Sequence, residues 1–250
     1  AELDFDKLPN FSHIGEGYKN PAYDPGNKYS VPYLGGAGAI AVNTDKVDLD
    51  ITSYADLFDP SLEGKLVVLD DFRAVIGMTS KALGYDLNET DPAKLAEVSD
   101  KLMELKKNVV LYDSDSPKSA LISGDCSVGM IWSAEIAMAM EEVPSIKVVY
   151  PSEGAYLFFD NWVVTKESPN YDNAMEWLNF IMDPENMAMV LEEFPYLCAN
   201  TDAVAKMGQE YSANPAMNPP AEAIAAGSYV ENLDSTTLDL YNEMWTKLKQ

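Results

Sequence analysis

Apolar residues follow two spacings along this chain, and segments with one spacing alternate with segments that have the other. Short continuous apolar runs, typical of buried strands, occupy positions 66–69, 109–112, 128–132 and 146–150. Apolar residues three or four positions apart, typical of helices, occur at 73–83, 92–105, 134–142, 172–182 and 237–249. The alternation predicts an α/β architecture with largely parallel sheets.

Two more short strands are predicted at 29–33 and 38–43, joined by the small residues between Gly35 and Gly38. These glycines indicate a hinge or closely packed backbone. They do not match a nucleotide-binding loop, since a strand follows them and no helix is predicted there to hold a phosphate.

Polar and aromatic residues lie at two junctions between a predicted strand and the helix that follows it. Asp70 and Asp71 follow the run at 66–69, while Trp132 ends a strand and Glu135 lies in the next helix. Open α/β sheets bind ligands at such corners, which makes these residues candidates for a binding site. A helix cap explains a single Asp equally well, so both interpretations of Asp71 stay open.

The stretch 152–164, SEGAYLFFDNWVV, places the acid Asp160 inside an aromatic run of strand propensity. A carboxylate beside Phe158, Phe159 and Trp162 would be partly desolvated, which is unfavourable without a cationic or hydrogen-bonding partner. We therefore expect the ligand to supply that partner. The alternative is that Asp160 begins a turn at the end of the strand.

Charge narrows the class of ligand. Asp and Glu number 41 against 17 Lys and Arg, so the net charge is −24 and a nucleic-acid partner is not expected. Cationic ligands are favoured. With 250 residues and 47% hydrophobic composition, the chain is long enough for one large domain or two smaller lobes.

Other chemistry has little support in the sequence. Cys126 and Cys198 lack metal-ligand spacing and are predicted to be free and buried, and His13 is the only histidine. No metal, cofactor or catalytic residue is therefore predicted, nor any membrane-spanning segment. The chain starts at Ala1 without an initiator methionine, as if cut from something longer.

Six separated segments carry a resemblance that runs along all 250 residues in order. They are NKYSVPYLGGAGAIAVN, SYADLFDPSLEGKLVVLDDFRAVIGMTSKALGY, VGMIWSAEIAMAM, VVYPSEGAYLFFDNWVV, AMEWLNFIMDPE and LYNEMWTKLK. Together they resemble the spermidine/putrescine-binding proteins of ABC importers. The resemblance implies a two-lobed periplasmic-binding-protein-like α/β fold with crossing hinge strands and a polyamine held in the cleft between the lobes.

Site residues follow from this resemblance position by position. The cleft acid of the family's LDD motif matches Asp71, and the tryptophan after the GMIW strand matches Trp132. An aromatic residue and an acid of another family motif match Phe158 and Asp160, and a loop tyrosine matches Tyr196. The resemblance thus implies that these five residues contact the ligand.

The sequence departs from the family pattern in three respects. Ala74 stands where relatives often have a second carboxylate, and Glu135 is expected to compensate for it. Near Val230 and Glu231 the family has a polar ligand contact, which we assign to Glu231. The family's opening strand and helix units precede the position of Ala1, so the first lobe is expected to be incomplete.

We expect residues 1–36 and 159–203 in the first lobe and residues 37–158 and 204–250 in the second. The expected function is the extracytoplasmic solute-binding component of an ABC importer, in the periplasm or anchored to the outer face of the membrane. Its partners would be a polyamine and the membrane permease subunits, and it would not be an enzyme. The alternatives are a solute-binding protein of similar fold for another small solute, or a two-carboxylate hydrolase.

Overall fold

The computed structural model describes residues 1–250, which form two compact units. The first unit comprises residues 1–36 and 159–218, and the second comprises residues 37–158 and 219–250. Residues 204–218 thus lie in the first unit, whereas the sequence analysis assigned them to the second lobe. The reason is Tyr211, which is buried in the first unit and donates a hydrogen bond to the carbonyl of Tyr196.

Eight strands and ten α-helices make up the regular structure. The strands are β1 (Ser30–Asn43), β2 (Leu66–Val68), β3 (Val109–Tyr112), β4 (Val128–Trp132), β5 (Ile146–Val149), β6 (Tyr156–Val163), β7 (Leu197–Cys198) and β8 (Ser228–Tyr229). The helices are α1 (Phe72–Ala82), α2 (Pro92–Leu105), α3 (Lys118–Ser123), α4 (Ser133–Glu142), α5 (Tyr171–Ile181), α6 (Pro184–Glu193), α7 (Thr201–Val204), α8 (Gly208–Ala213), α9 (Ala221–Ala226) and α10 (Ser235–Lys249). A helix long and apolar enough to cross a membrane is not found.

The sheet of the second unit is mixed, so the prediction of largely parallel strands was wrong. β2 pairs in parallel with β3 and β4, and β6 with β8, whereas β1 runs antiparallel to β4 and β5. Parallel neighbours need a crossover connection that usually contains an α-helix. Only short 3₁₀ turns lie between β1 and β2, and β1 pairs instead with strands that run the opposite way.

β1 is one continuous strand of 14 residues, where the sequence predicted two short strands joined by glycines. None of Gly35, Gly36 and Gly38 has a positive φ, so the glycines do not break the strand. At Gly38 the absent side chain has a packing role, because a Cβ there would lie 2.1 Å from Cε of Met78. The small residues permit close packing.

The core of the first unit draws on both of its segments. Leu3, Leu8 and Ile14 are buried in one cluster with Met175 and Leu178 of α5. Four 3₁₀ turns between Phe5 and Asn27 hold these residues in place.

In the second unit, α1 and α2 begin at Asp caps as the sequence pattern indicates, since Asp71 accepts a hydrogen bond from Ala74 and Asp91 accepts one from Ala93. α10 buries Tyr241, Met244 and Leu248. Leu238 of the same helix is exposed.

Candidate functional site

An aromatic group lies at the end of β4 in the second unit. The buried run 128–131 ends at Trp132, which is paired with Gly38 of β1, and α4 starts at the next residue. The Trp132 ring lies 5.0 Å from the ring of Phe158 in an edge-to-face arrangement and 5.9 Å from that of Tyr156. Because residues two apart in a strand share a face, β6 presents Tyr156 and Phe158 together. Trp132 and Phe158 are only half-buried, so a ligand can reach their rings.

Asp71 follows β2, which runs parallel to its neighbours β3 and β4. Its Oδ1 accepts a hydrogen bond of 3.0 Å from the backbone N–H of Ala74, so Asp71 is the N-cap of α1. The capping interpretation of this residue is therefore correct. Capping engages one carboxylate oxygen, and a carboxylate accepts from several donors, so the cap leaves room for a ligand contact. Its neighbour Asp70 binds Lys249 at 2.8 Å.

Glu135 lies in the first turn of α4 and is buried, with 7% of its side chain exposed. Nζ of Lys118, the first residue of α3, donates to both carboxylate oxygens at 3.1 and 2.9 Å. The comparison with the family pattern predicts that Glu135 replaces the carboxylate missing at Ala74. In the structure this carboxylate already has a cationic partner.

Glu231 is exposed, and its backbone is fixed by two neighbours in the second unit. Its N–H donates to Oδ1 of Asn88 at 2.8 Å, and its carbonyl accepts from Nη2 of Arg73 at 2.8 Å. Asn88 also donates to the carbonyl of Tyr229 at 2.9 Å. The segment around Glu231 is therefore held against α1 through main-chain groups, which leaves the Glu231 side chain in water.

Asp160 lies on the part of β6 that belongs to the first unit. Its side chain is exposed, whereas the aromatic run around it predicts a partly desolvated carboxylate. Nevertheless, partial burial raises the pKa of the Asp160 carboxyl above its ordinary value, and no protein group donates a hydrogen bond to it. The Asp160 carboxylate thus has lost part of its water without gaining a protein partner.

Aromatic rings lie near Asp160 in the chain, and two buried polar atoms of the adjacent residues lack a hydrogen-bond partner. Trp162 packs against Tyr33 at 4.7 Å and against Trp177 at 4.7 Å between ring centroids. Burial first, then the neighbouring Cys198 and Asp160 side chains, raise the pKa of the Tyr33 hydroxyl. Nε1 of Trp162 and Oδ1 of Asn161 are buried without a hydrogen-bond partner. Such orphan atoms are uncommon in native proteins.

Tyr196 belongs to the first unit and lies in the loop between α6 and β7. Its N–H donates to the carbonyl of Phe194 at 2.8 Å, and its carbonyl accepts from the Tyr211 hydroxyl at 2.5 Å. The loop is therefore set by main-chain contacts, with the Tyr196 ring half-buried.

Within the second unit the structure brings Trp132 and Phe158 into contact and places Glu135 one helical turn from Trp132. Sequence reasoning missed Tyr156 and Lys118. The period-two alternation of β6 could have identified Tyr156 as a partner of Phe158. Nothing in the sequence connects Lys118 with Glu135, because they come from different helices. No group of three or more His, Cys, Asp or Glu side chains is arranged to hold a metal ion.

Comparison with protein families gives a match over most of the chain. The family model for bacterial extracellular solute-binding proteins matches residues 1–219. The chain is 34% identical over 249 residues to the spermidine/putrescine-binding periplasmic protein of Escherichia coli, covering 99% of this chain and 71% of that protein. It is 27% identical over 261 residues to a putrescine/cadaverine-binding protein of Pseudomonas aeruginosa, covering 99% and 74%.

Solved structures with the same fold cover the entire chain. A structure from Listeria monocytogenes, described as a spermidine/putrescine ABC transporter, superimposes with a TM-score of 0.95 at 32% identity and covers 100% of this chain and 77% of the other. The substrate-binding protein of a spermidine/putrescine ABC transporter from Streptococcus pneumoniae gives a TM-score of 0.84 at 30% identity, with the same coverage of 100% and 77%.

Proposed function

Because the chain belongs to the family of bacterial extracellular solute-binding proteins, we propose that it delivers a polyamine to the permease subunits of an ABC importer. The family resemblance and the periplasmic-binding-protein-like α/β fold predicted from the sequence are confirmed by the matches. The family consists of solute-binding proteins that act outside the cytoplasm, so the chain is an extracytoplasmic binding protein and not an enzyme.

The observation that carries the choice of solute is the state of Asp160. A partly desolvated carboxylate is unfavourable unless a donor or a cation compensates it, and the protein offers neither. An ammonium group is the natural partner, because ammonium to carboxylate hydrogen bonds are roughly twice as strong as neutral ones. The net charge of −24 favours the same class of ligand by attracting cations.

The aromatic group in the second unit suits the rest of a polyamine. Methylene groups pack favourably on the faces of Trp132 and Phe158, and an ammonium group over such a face gains about 0.5 to 2 kcal/mol. We assign ligand contacts to Asp71, Trp132, Phe158, Asp160 and Tyr196. Glu231 is assigned an electrostatic contribution, since its carboxylate is exposed.

Calorimetric titration of the chain with putrescine, cadaverine and spermidine tests this function. Glucose and a neutral amino acid serve as ligands that lack the paired ammonium groups. We expect saturable binding of the polyamines that weakens as salt is added, with no heat from the controls. Binding of a control solute but of no polyamine would favour the alternative, a protein of similar fold for another small solute. Recovery of the bound polyamine chemically unchanged distinguishes binding from hydrolysis.

A further inference from the structure

We propose that Lys118 determines specificity, because it is a resident ammonium group that occupies Glu135 and so biases the protein towards diamines over longer polyamines. This inference rests on the proposed polyamine-binding function and names the class of polyamine.

The contact between Lys118 and Glu135 has the geometry expected between the terminal ammonium group of a polyamine and a carboxylate. A primary ammonium group donates to both oxygens of one carboxylate at 2.9 and 3.1 Å. Glu135 is almost fully buried, and three quarters of the Lys118 side chain is buried with it. Glu135 lies three residues after Trp132 in the first turn of α4, a spacing that makes the two side chains neighbours on the helix. The ligand's ammonium groups therefore meet a Glu135 that is already neutralised.

The remaining carboxylates suit two ammonium groups. Asp160 has no protein donor, and Asp71 has one oxygen engaged in a single cap contact. The Glu231 side chain is exposed to water, and the Arg73 guanidinium is bound at the Glu231 carbonyl. Both the exposure and the nearby positive charge weaken the attraction between the Glu231 carboxylate and a ligand cation. Ala74 supplies no carboxylate. A triamine would thus bring one ammonium group more than the protein can compensate.

Removing the resident charge should reverse this preference. Without Lys118 the buried Glu135 carboxylate has no cation, which is strongly unfavourable, and the third ammonium group of spermidine can take its place. Diamines gain less, because both of their charges already have partners. A purely structural role for Lys118 would instead change the affinity for all polyamines by the same factor.

The experiment measures the affinities of putrescine and spermidine by calorimetry at one ionic strength, using the whole 250-residue chain. For Lys118→Met we expect the ratio of spermidine affinity to putrescine affinity to rise at least about tenfold over the parent, which corresponds to about 1.4 kcal/mol. Lys118→Gln removes the charge but keeps a hydrogen-bond donor, and should move the ratio in the same direction. Lys118→Arg keeps the charge and should leave the ratio as in the parent.

Two controls make the test decisive. Lys94→Met removes a cation from a second buried glutamate, Glu89, which Lys94 binds at 2.8 Å, and should not change the ratio. The double change of Lys118→Met with Glu135→Gln removes the pair without leaving an unpaired charge, and should restore the parent ratio even if the single variants fail to fold. An unchanged ratio in a folded Lys118→Met, or a raised ratio in the double variant, overturns the inference. If the parent chain binds no polyamine, the proposed function itself fails.

Discussion

Replacing Asp160 with Asn should weaken ligand binding while leaving the unliganded protein as stable as before, or more so. The two side chains have nearly the same shape, so the change removes little beyond the negative charge. In the unliganded protein that charge is destabilising, because partial burial raises the pKa of the carboxyl and no hydrogen-bond donor compensates the charge. A carboxyl whose pKa is higher in the folded state than in the unfolded state lowers the free energy of unfolding at pH values above the folded pKa. This lost stability is regained as the pH falls through the folded pKa. At pH 7 the Asn variant is free of this penalty.

The loss of binding follows from the exposure of Asp160. Contacts between fully exposed charges contribute about 0 to 1 kcal/mol, whereas truncating one partner of a buried charge pair costs about 2 to 5 kcal/mol. Asp160 is exposed but partly desolvated, which places it between these cases. We expect at least about tenfold weaker binding of putrescine or spermidine, or about 1.4 kcal/mol.

The assay pairs calorimetric titration with thermal unfolding in the absence of ligand. Asp100→Asn on α2 makes the same change of net charge at another exposed position and serves as the matched control. Unaltered affinity in Asp160→Asn would show that the carboxylate does not contact the ligand. A lower unfolding temperature of the unliganded variant would show that the carboxylate has a structural role, as in the turn interpretation.

Three further predictions concern stability and reactivity. In a denaturant titration, Gly154→Ala should lower the free energy of unfolding by at least about 2 kcal/mol, because φ at Gly154 is +88° and the added Cβ would lie 2.0 Å from a carbonyl oxygen. The control Gly17→Ala, whose Cβ would have nothing within 4 Å, should change that free energy by less than about 0.5 kcal/mol. Cys126 and Cys198 should resist a thiol reagent at pH 8 until the protein is unfolded, because burial raises both thiol pKa values, that of Cys198 to about 11. Asp71→Ala should lower the free energy of unfolding by about 1 kcal/mol, because it removes the helix cap. Asp71→Asn keeps a capping side chain, so any loss of polyamine affinity in that variant is due to the loss of the negative charge.

Local signals predicted much of the secondary structure. The Asp91-Pro92 start of α2 and the buried apolar run of β4 both lie where the pattern indicates, because capping and periodicity act over a few residues. The prediction of two short strands in place of the continuous β1 was wrong, since glycine allows an extended backbone as readily as a break and its sequence position does not distinguish the two.

The candidate site was predictable in its residue types but not in its charge balance. The family resemblance assigns both Trp132 and Phe158 to the ligand site, and the structure places their rings in contact. The availability of each carboxylate does not follow from the sequence, because Glu135 depends on Lys118 of another helix and Asp160 depends on how much of its surface the fold covers. Long-range partners of this kind leave no periodic trace in a sequence.

The first unit is built from two stretches of chain separated by the second unit, and this division imposes a delay during synthesis. Leu3, Leu8 and Val31 belong to one apolar cluster whose next member is Val164. At about 5 to 20 residues per second, the ribosome needs roughly 7 to 27 s to add the roughly 130 residues between Val31 and Val164. Throughout that interval residues 1–36 lack their partners from residues 159–218, while residues 37–158 can already assemble among themselves. Apolar side chains of residues 1–36, such as Leu3 and Leu8, are therefore without their buried partners for longer than those of residues 37–158, and we expect them to be more prone to aggregation during synthesis.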